Sequence, residues 1–299
     1  MDIKQSKEDF ADLKKAYNLL ESPSLTAQLS NLIGSPIEFA VAKLPAKVRK
    51  KIDAVVETAM FAAVKGALLT MKNEPYAEAW PITHKLGVGA SGALGGFWGM
   101  TSFAVEVPVT TTLMMRSIAD IARSEGFDLS ELETKKECIA VFALGGPSGD
   151  DDGSETGYYA SRAFITKAAQ ALGAEMTTRV AGKAAQSAVN GSSDAAANKL
   201  GKWLADILEA VLEKFGVQIS EKFVAQAVPV VGAAAGAGIN MLFLNHYQDM
   251  ARGHFTMLRL EKKHGKGVME EAYASLKSSG ASAGGNAVID IDRARRKAA

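Results

Sequence analysis

The sequence predicts an all-α protein: a single multi-helix domain of about ten helices with a central pair of Gly-rich apolar helices. Three observations lead there. Apolar side chains recur at intervals of three and four along most of the 299 residues. Strictly alternating apolar runs, the mark of a strand, do not extend beyond four or five residues. Two stretches, 86–105 and 229–245, combine many glycines with apolar side chains and no charge. Spacings such as Gly92/Gly96, Gly95/Gly99 and Gly232/Gly236 strip one helix face of side chains and let two backbones approach closely.

The elements follow in order. Residues 1–21 alternate charges with Phe10, Leu13, Tyr17 and Leu20, an amphipathic helix that docks on something. Residues 22–46, punctuated by Pro23, Gly34, Pro36 and Pro45, read as connection and short helical turns. Ile52, Val55, Val56, Ala59, Met60 and Ala63 mark a helix over 47–72. Pro108 suits the first turn of a helix that runs to Glu125 and stops at Gly126. Ser130 and Glu133 form a capping-box pattern for a helix over 131–144. Helical patterns return at 156–171 and 174–188. Residues 188–198 read as a surface linker. A strong helix with Trp203, Leu204, Ile207, Leu208 and Phe215 is expected to end at Gly216. The second glycine-rich element begins at Pro229 and continues as a polar-faced helix to His264. A last helix covers 267–277. The expected organisation is 1–46 as N-terminal docking helices and connection, 47–277 as the helical domain, and 278–299 as a flexible tail.

Composition excludes several functions. The formal charge is +1, so no whole-protein field steers nucleic acid, and no nucleic-acid partner is expected. The single cysteine, Cys138, rules out a disulfide framework and reads as a small buried side chain. The N-terminus lacks the apolar core of a secretory signal, so a cytoplasmic location is expected. No zinc, P-loop, serine-elbow or kinase pattern appears, so neither a metal ion nor a cofactor is expected, and no catalytic residue can be named. Gly87, Gly89 and Gly92 match G-x-G-x-x-G, but no apolar strand precedes them.

Two residue sets remain. Lys43, Lys47, Arg49, Lys50 and Lys51 form a basic run without an acid, followed by an amphipathic helix. That pattern suits reversible contact with an anionic lipid surface. Polar residues within apolar helices form the second set: Glu106, Arg116, Tyr159, Arg162, Asn240, Tyr247 and Arg252. Glu106 stands alone among uncharged residues, so it needs a cationic partner if buried, for which Arg162 or Arg252 are the candidates. Arg116 and Asp120 can pair four apart.

The order of several blocks resembles the EcsC protein family. They are Gly92-x-x-Gly95-Gly96, Glu106-x-Pro108, Arg116 to Ala122, Cys138 to Gly146, Tyr158-Tyr159-Ala160-x-Arg162, and Pro229 through Asn240 to Tyr247, Arg252 and Phe255. Glu106 stands where the family pattern has Asp, one methylene shorter. The resemblance implies a bacterial accessory role linked to transport or secretion. The expected function is a non-catalytic interaction protein, peripheral at the inner membrane face, with an anionic lipid surface or a membrane protein as partner. The alternative is an enzyme or small-molecule binder whose polar pocket lies between the Gly-rich helices.

Overall fold

The computed structural model describes residues 3–68, 71, 76, 99–145, 157–175, 195–227 and 232–278. The chain is all-α. The helices, in order, are α1 (Lys7–Leu20), α2 (Leu25–Ile33), α3 (Ile37–Ala42) and α4 (Ala46–Ala63), which runs on as a π turn over Val64–Leu68. Then come α5 (Gly99–Ser124), α6 (Leu132–Ala140), α7 (Gly157–Glu175), α8 (Ala195–Ala227), α9 (Gly232–His264) and α10 (Lys266–Ser278). One continuous apolar core joins them.

Side-chain pairs set the directions of the central helices. Ser117 of α5 accepts from Gln248 of α9, and eight residues further along both helices Glu125 meets Thr256. Equal advance on both helices makes α5 and α9 parallel. Gln218 of α8 accepts from Tyr247 of α9, while Lys222, four residues on, lies 5.6 Å from the ring of Phe243, four residues back. Helices α8 and α9 are therefore antiparallel. Phe142, Phe215 and Tyr247 pack together at this crossing, with centroids 4.9 and 4.8 Å apart from Phe142. The Phe142–Phe215 contact is edge-to-face, an arrangement that favours fixed over fluid packing.

Helix α1 docks on α9. Ser6 caps it by accepting from the Asp9 amide, and Leu13, Ala16, Tyr17 and Leu20 form its buried stripe. A Cβ on Gly253 would lie 2.6 Å from Leu20 Cγ and 3.2 Å from the Ala16 carbonyl oxygen. Close glycine packing thus occurs here, late in α9. Arg259 joins three helices by holding Asp12 of α1 at 2.7 Å and Glu125 at 2.8 Å.

Several expectations are corrected. Among the described residues a central pair of Gly-rich apolar helices is not found. Helix α5, described from Gly99, meets α9 through Ser117, Glu125, Gln248 and Thr256. A Cβ added to Gly238 of α9 would meet nothing within 4 Å. Among the described residues no helix is long and apolar enough to cross a membrane. Pro108 sits inside α5, not at its start. The carbonyl it deprives of a donor, that of Ala104, belongs to an exposed residue that water can serve. Gly216 lies within α8, because the apolar stripe continues through Ile219 to Ala225. The capping box does not form: Asp128 accepts from both the amide and the hydroxyl of Ser130. Four expectations fall wholly or mostly outside the described residues: the first glycine run over 86–98, the helix over 174–188, the linker over 188–198 and the tail beyond Ser278.

Asp9 provides a test of the α1 docking. Its carboxylate is buried and bonds Lys263 at 2.7 Å and His264 at 2.8 Å. The Lys263 ammonium, against the upward push of burial and with help from His264 and Ser6, holds the carboxyl at about 2. A depressed acid contributes stability above its unfolded value and loses it as pH falls toward the folded one. Asp9→Asn is expected to cost about 1–2 kcal/mol at pH 7 in urea denaturation, with the deficit shrinking below pH 3.

Candidate functional site

The buried seam between α5, α8 and α9 concentrates the interior polar chemistry. Its centre is an ion pair: Lys222 Nζ lies 2.8 Å from Glu106 Oε1, with side chains 0% and 2% exposed. Gln226, one turn beyond Lys222, donates to both Glu106 oxygens at 3.2 and 3.3 Å. Burial pulls the Lys222 ammonium below its ordinary value, and the Glu106 carboxylate opposes that pull. The pair is thus held by its own geometry. The two arginines expected from sequence to meet Glu106 bind elsewhere: Arg162 holds Glu261 at 2.7 Å and Arg252 holds Asp249 at 3.1 Å. In the sequence Lys222 is one more lysine in an amphipathic helix. The signal lies in its phase: Phe215, Ile219 and Lys222 share one buried stripe of α8.

Further polar groups line the same seam. Gln218 accepts from the Tyr247 hydroxyl and is itself buried. Asn240 is 1% exposed, and neither of its amide atoms finds a hydrogen-bond partner among the described residues. On the outer side of α8, Glu221 accepts from Thr26 of α2 at 2.8 Å. Burial, with the nearby charge of Glu38, raises the Glu221 carboxyl to about 7 despite the Thr26 bond.

A second polar cluster occupies the C-terminal part of α9, about 20 Å along it at 1.5 Å per residue. Tyr159 and Arg162 both donate to Glu261, at 3.0 and 2.7 Å. The Tyr158 hydroxyl lies 2.9 Å from His254 Nδ1, and His254 Nε2 lies 2.8 Å from Glu137. Burial, the largest single influence, pushes the Glu137 carboxyl up, but the His254 bond together with the charges of His254, Arg162 and Lys136 holds it below the usual value. The ionised carboxylate accepts a hydrogen bond from Nε2–H, and in the neutral imidazole that leaves Nδ1 to accept from the Tyr158 hydroxyl. Tyr158, His254 and Glu137 thus satisfy one another in series.

The sequence-derived pocket residues accordingly divide. Glu106, Asn240 and Tyr247 share the seam. Tyr159 and Arg162 belong to the distant cluster. Arg252 is partly exposed, and Arg116 turns to the carbonyl of Gly66 at 2.7 Å. Asp120 binds Arg123 at 2.6 Å. Among the described residues no group of three or more His, Cys, Asp or Glu could hold a metal ion. Burial pushes the Cys138 thiol up, which suits an inert core residue.

The basic run lies elsewhere, on the surface. Lys43, Lys47, Arg49, Lys50 and Lys51 are all exposed. Arg49 donates to the carbonyls of Leu44 and Ala42, capping α3. Beside these residues Phe39 is 70% and Leu32 46% exposed.

Two outcomes test the interior. Glu106→Gln or Lys222→Met alone is expected to cost about 3–5 kcal/mol in urea denaturation, because each strands a buried partner. The double variant Glu106→Leu/Lys222→Met is expected to be less destabilised than either single change. Glu221 has the opposite pH sign from Asp9. Its unfolded form releases a proton at lower pH than its folded form, so stability falls as pH rises through about 4.5 to 7. Glu221→Gln is expected to raise stability by about 1–3 kcal/mol at pH 8 and to leave it nearly unchanged at pH 4.

Comparison with known proteins adds one finding. Neither the curated proteins nor the solved structures yield a match. The sequence pattern of the EcsC protein family matches residues 8–260, which spans the chain from α1 into the last turns of α9. The chain belongs to the EcsC protein family.

Proposed function

We propose that this protein is a non-catalytic accessory protein that docks peripherally on an anionic bilayer, at the cytoplasmic face of a bacterial membrane, in connection with transport or secretion. The observation that carries the reading is the surface made by α3 and the start of α4. Lys43, Lys47, Lys50 and Lys51 are exposed there, and no acid occurs between Phe39 and Ile52. None of the four lysines makes an ion pair among the described residues. Phe39, one turn before Lys43, is 70% exposed on a helix whose Ile37 is fully buried. An amphipathic surface of this kind gains affinity from two sources at once. Apolar burial of Phe39 and Leu32 at the headgroup boundary adds to the attraction between lysines and anionic lipid.

The family link supports an accessory role, and the interior supports a non-catalytic one. The Glu106–Lys222–Gln226 group and the Tyr158–His254–Glu137 series are buried and meet one another, as structural networks do.

Co-sedimentation of the full chain with vesicles tests the proposal. Binding is expected to vesicles rich in anionic phospholipid, to be weak with zwitterionic vesicles, and to fall steeply between low and high salt as screening shortens to a few ångströms. Lys47→Glu/Lys50→Glu/Lys51→Glu is expected to weaken binding at least about tenfold, and Phe39→Ser to weaken it at every salt concentration. Equal binding by the charge-reversed variant, or no binding to either vesicle, would overturn the reading.

A further inference from the structure

Asn240 marks a second site, unrelated to the lysine face. Both amide atoms of this side chain are buried and unpartnered among the described residues. A buried amide in that condition destabilises the fold unless something meets it. Its neighbours are fixed by helix register. Tyr247 lies seven residues on, hence on the same face of α9, and that face meets Gln218 of α8. Phe243, between them, lies against Lys222. Continuing the antiparallel register by one turn sets Asn240 level with Ala225 and Gln226. The parallel register of α5 and α9 sets it level with Val109, within about one turn of Glu106. The unpaired amide therefore falls at the end of the Glu106–Lys222–Gln226 cluster. Two more unpaired atoms, Gln218 Nε2 and Gln248 Oε1, lie further along the same seam.

We infer that the α5/α8/α9 seam binds a small uncharged guest that both donates and accepts hydrogen bonds, held by the Asn240 amide beside the Glu106–Lys222 pair. The charge balance selects a neutral guest. Glu106 and Lys222 already neutralise each other, so an added ion would face no net opposite charge. The amide supplies one acceptor and two donors, so the guest must present both kinds of group. Phe243 and Tyr247, each at most 1% exposed, shield this part of the seam from solvent, which restricts the guest to something small. Water and a small organic solute share this chemistry.

Two measurements on the full chain separate those sources. Magnetic relaxation dispersion of solvent counts long-lived internal waters. Mass spectrometry after denaturation identifies any organic solute released from the purified protein. Asn240→Leu is expected either to lower the count of long-lived waters by at least one or to abolish a released solute, and in both cases to lower the Tm. An unchanged water count with no solute lost would overturn the inference, as would a Leu variant that melts higher than the unmodified chain. Should Asn240→Leu fail to fold, the unmodified chain decides the matter. Cross-relaxation between the Asn240 amide protons and water or solute protons is expected, and its absence would overturn the inference.

Discussion

Helix α9 carries a hydrogen-bonding side chain at nearly every turn of its buried length, and each must meet a partner at the right height. Tyr247 needs Gln218, Gln248 needs Ser117, His254 needs Tyr158 and Glu137, and Arg259 needs Asp12 and Glu125. An apolar stripe tolerates sliding, because one methyl group substitutes for another. A row of polar groups does not, since a slip of one turn leaves several of them unmet at about 1–3 kcal/mol each. The polar row of α9 therefore sets the register of α1, α5, α7 and α8, while the hydrophobic effect supplies the drive to pack them.

That matching is uneven along the helix. Towards the C-terminal end the groups form a closed network of Tyr158, Tyr159, Arg162, His254 and Glu261. Towards the N-terminal end Asn240 stands unpaired, among the described residues, beside a fully buried ion pair. Natural cores retain such a pair at a cost relative to apolar packing. Here the pair has a geometric consequence: it ties α5, which is remote in sequence, to the antiparallel α8 and α9.

Interior and surface meet at α8. One side of this helix sends Lys222 to Glu106, and the next residue back, Glu221, reaches Thr26 of α2. Helices α2 and α3, which present Leu32 and Phe39 outward, thus rest on a carboxyl that changes charge near pH 7. The exposed cationic surface and the buried seam are separate in chemistry. The first consists of solvated lysines around an apolar wedge; the second consists of desolvated groups that neutralise one another.

The sequence by itself determined the helical class, the amphipathic faces and the basic run, because these depend on local spacing. Leu13, Tyr17 and Leu20 announce the docking of α1, and Lys43 to Lys51 announce a surface, whatever the rest of the chain does. Glu106 stood out for the same reason, as a charge in an uncharged stretch. Only the tertiary structure decided its partner. Lys222 lies 116 positions away and looks like any other lysine on a helix. Glycine misled for a similar reason. Among the described residues, close approach occurs at Gly253, where Leu20 and Ala16 come from another part of the chain. Spacing within a segment reports which face is buried. What that face meets depends on how distant segments align, and here long-range pairing of buried polar groups makes the choice.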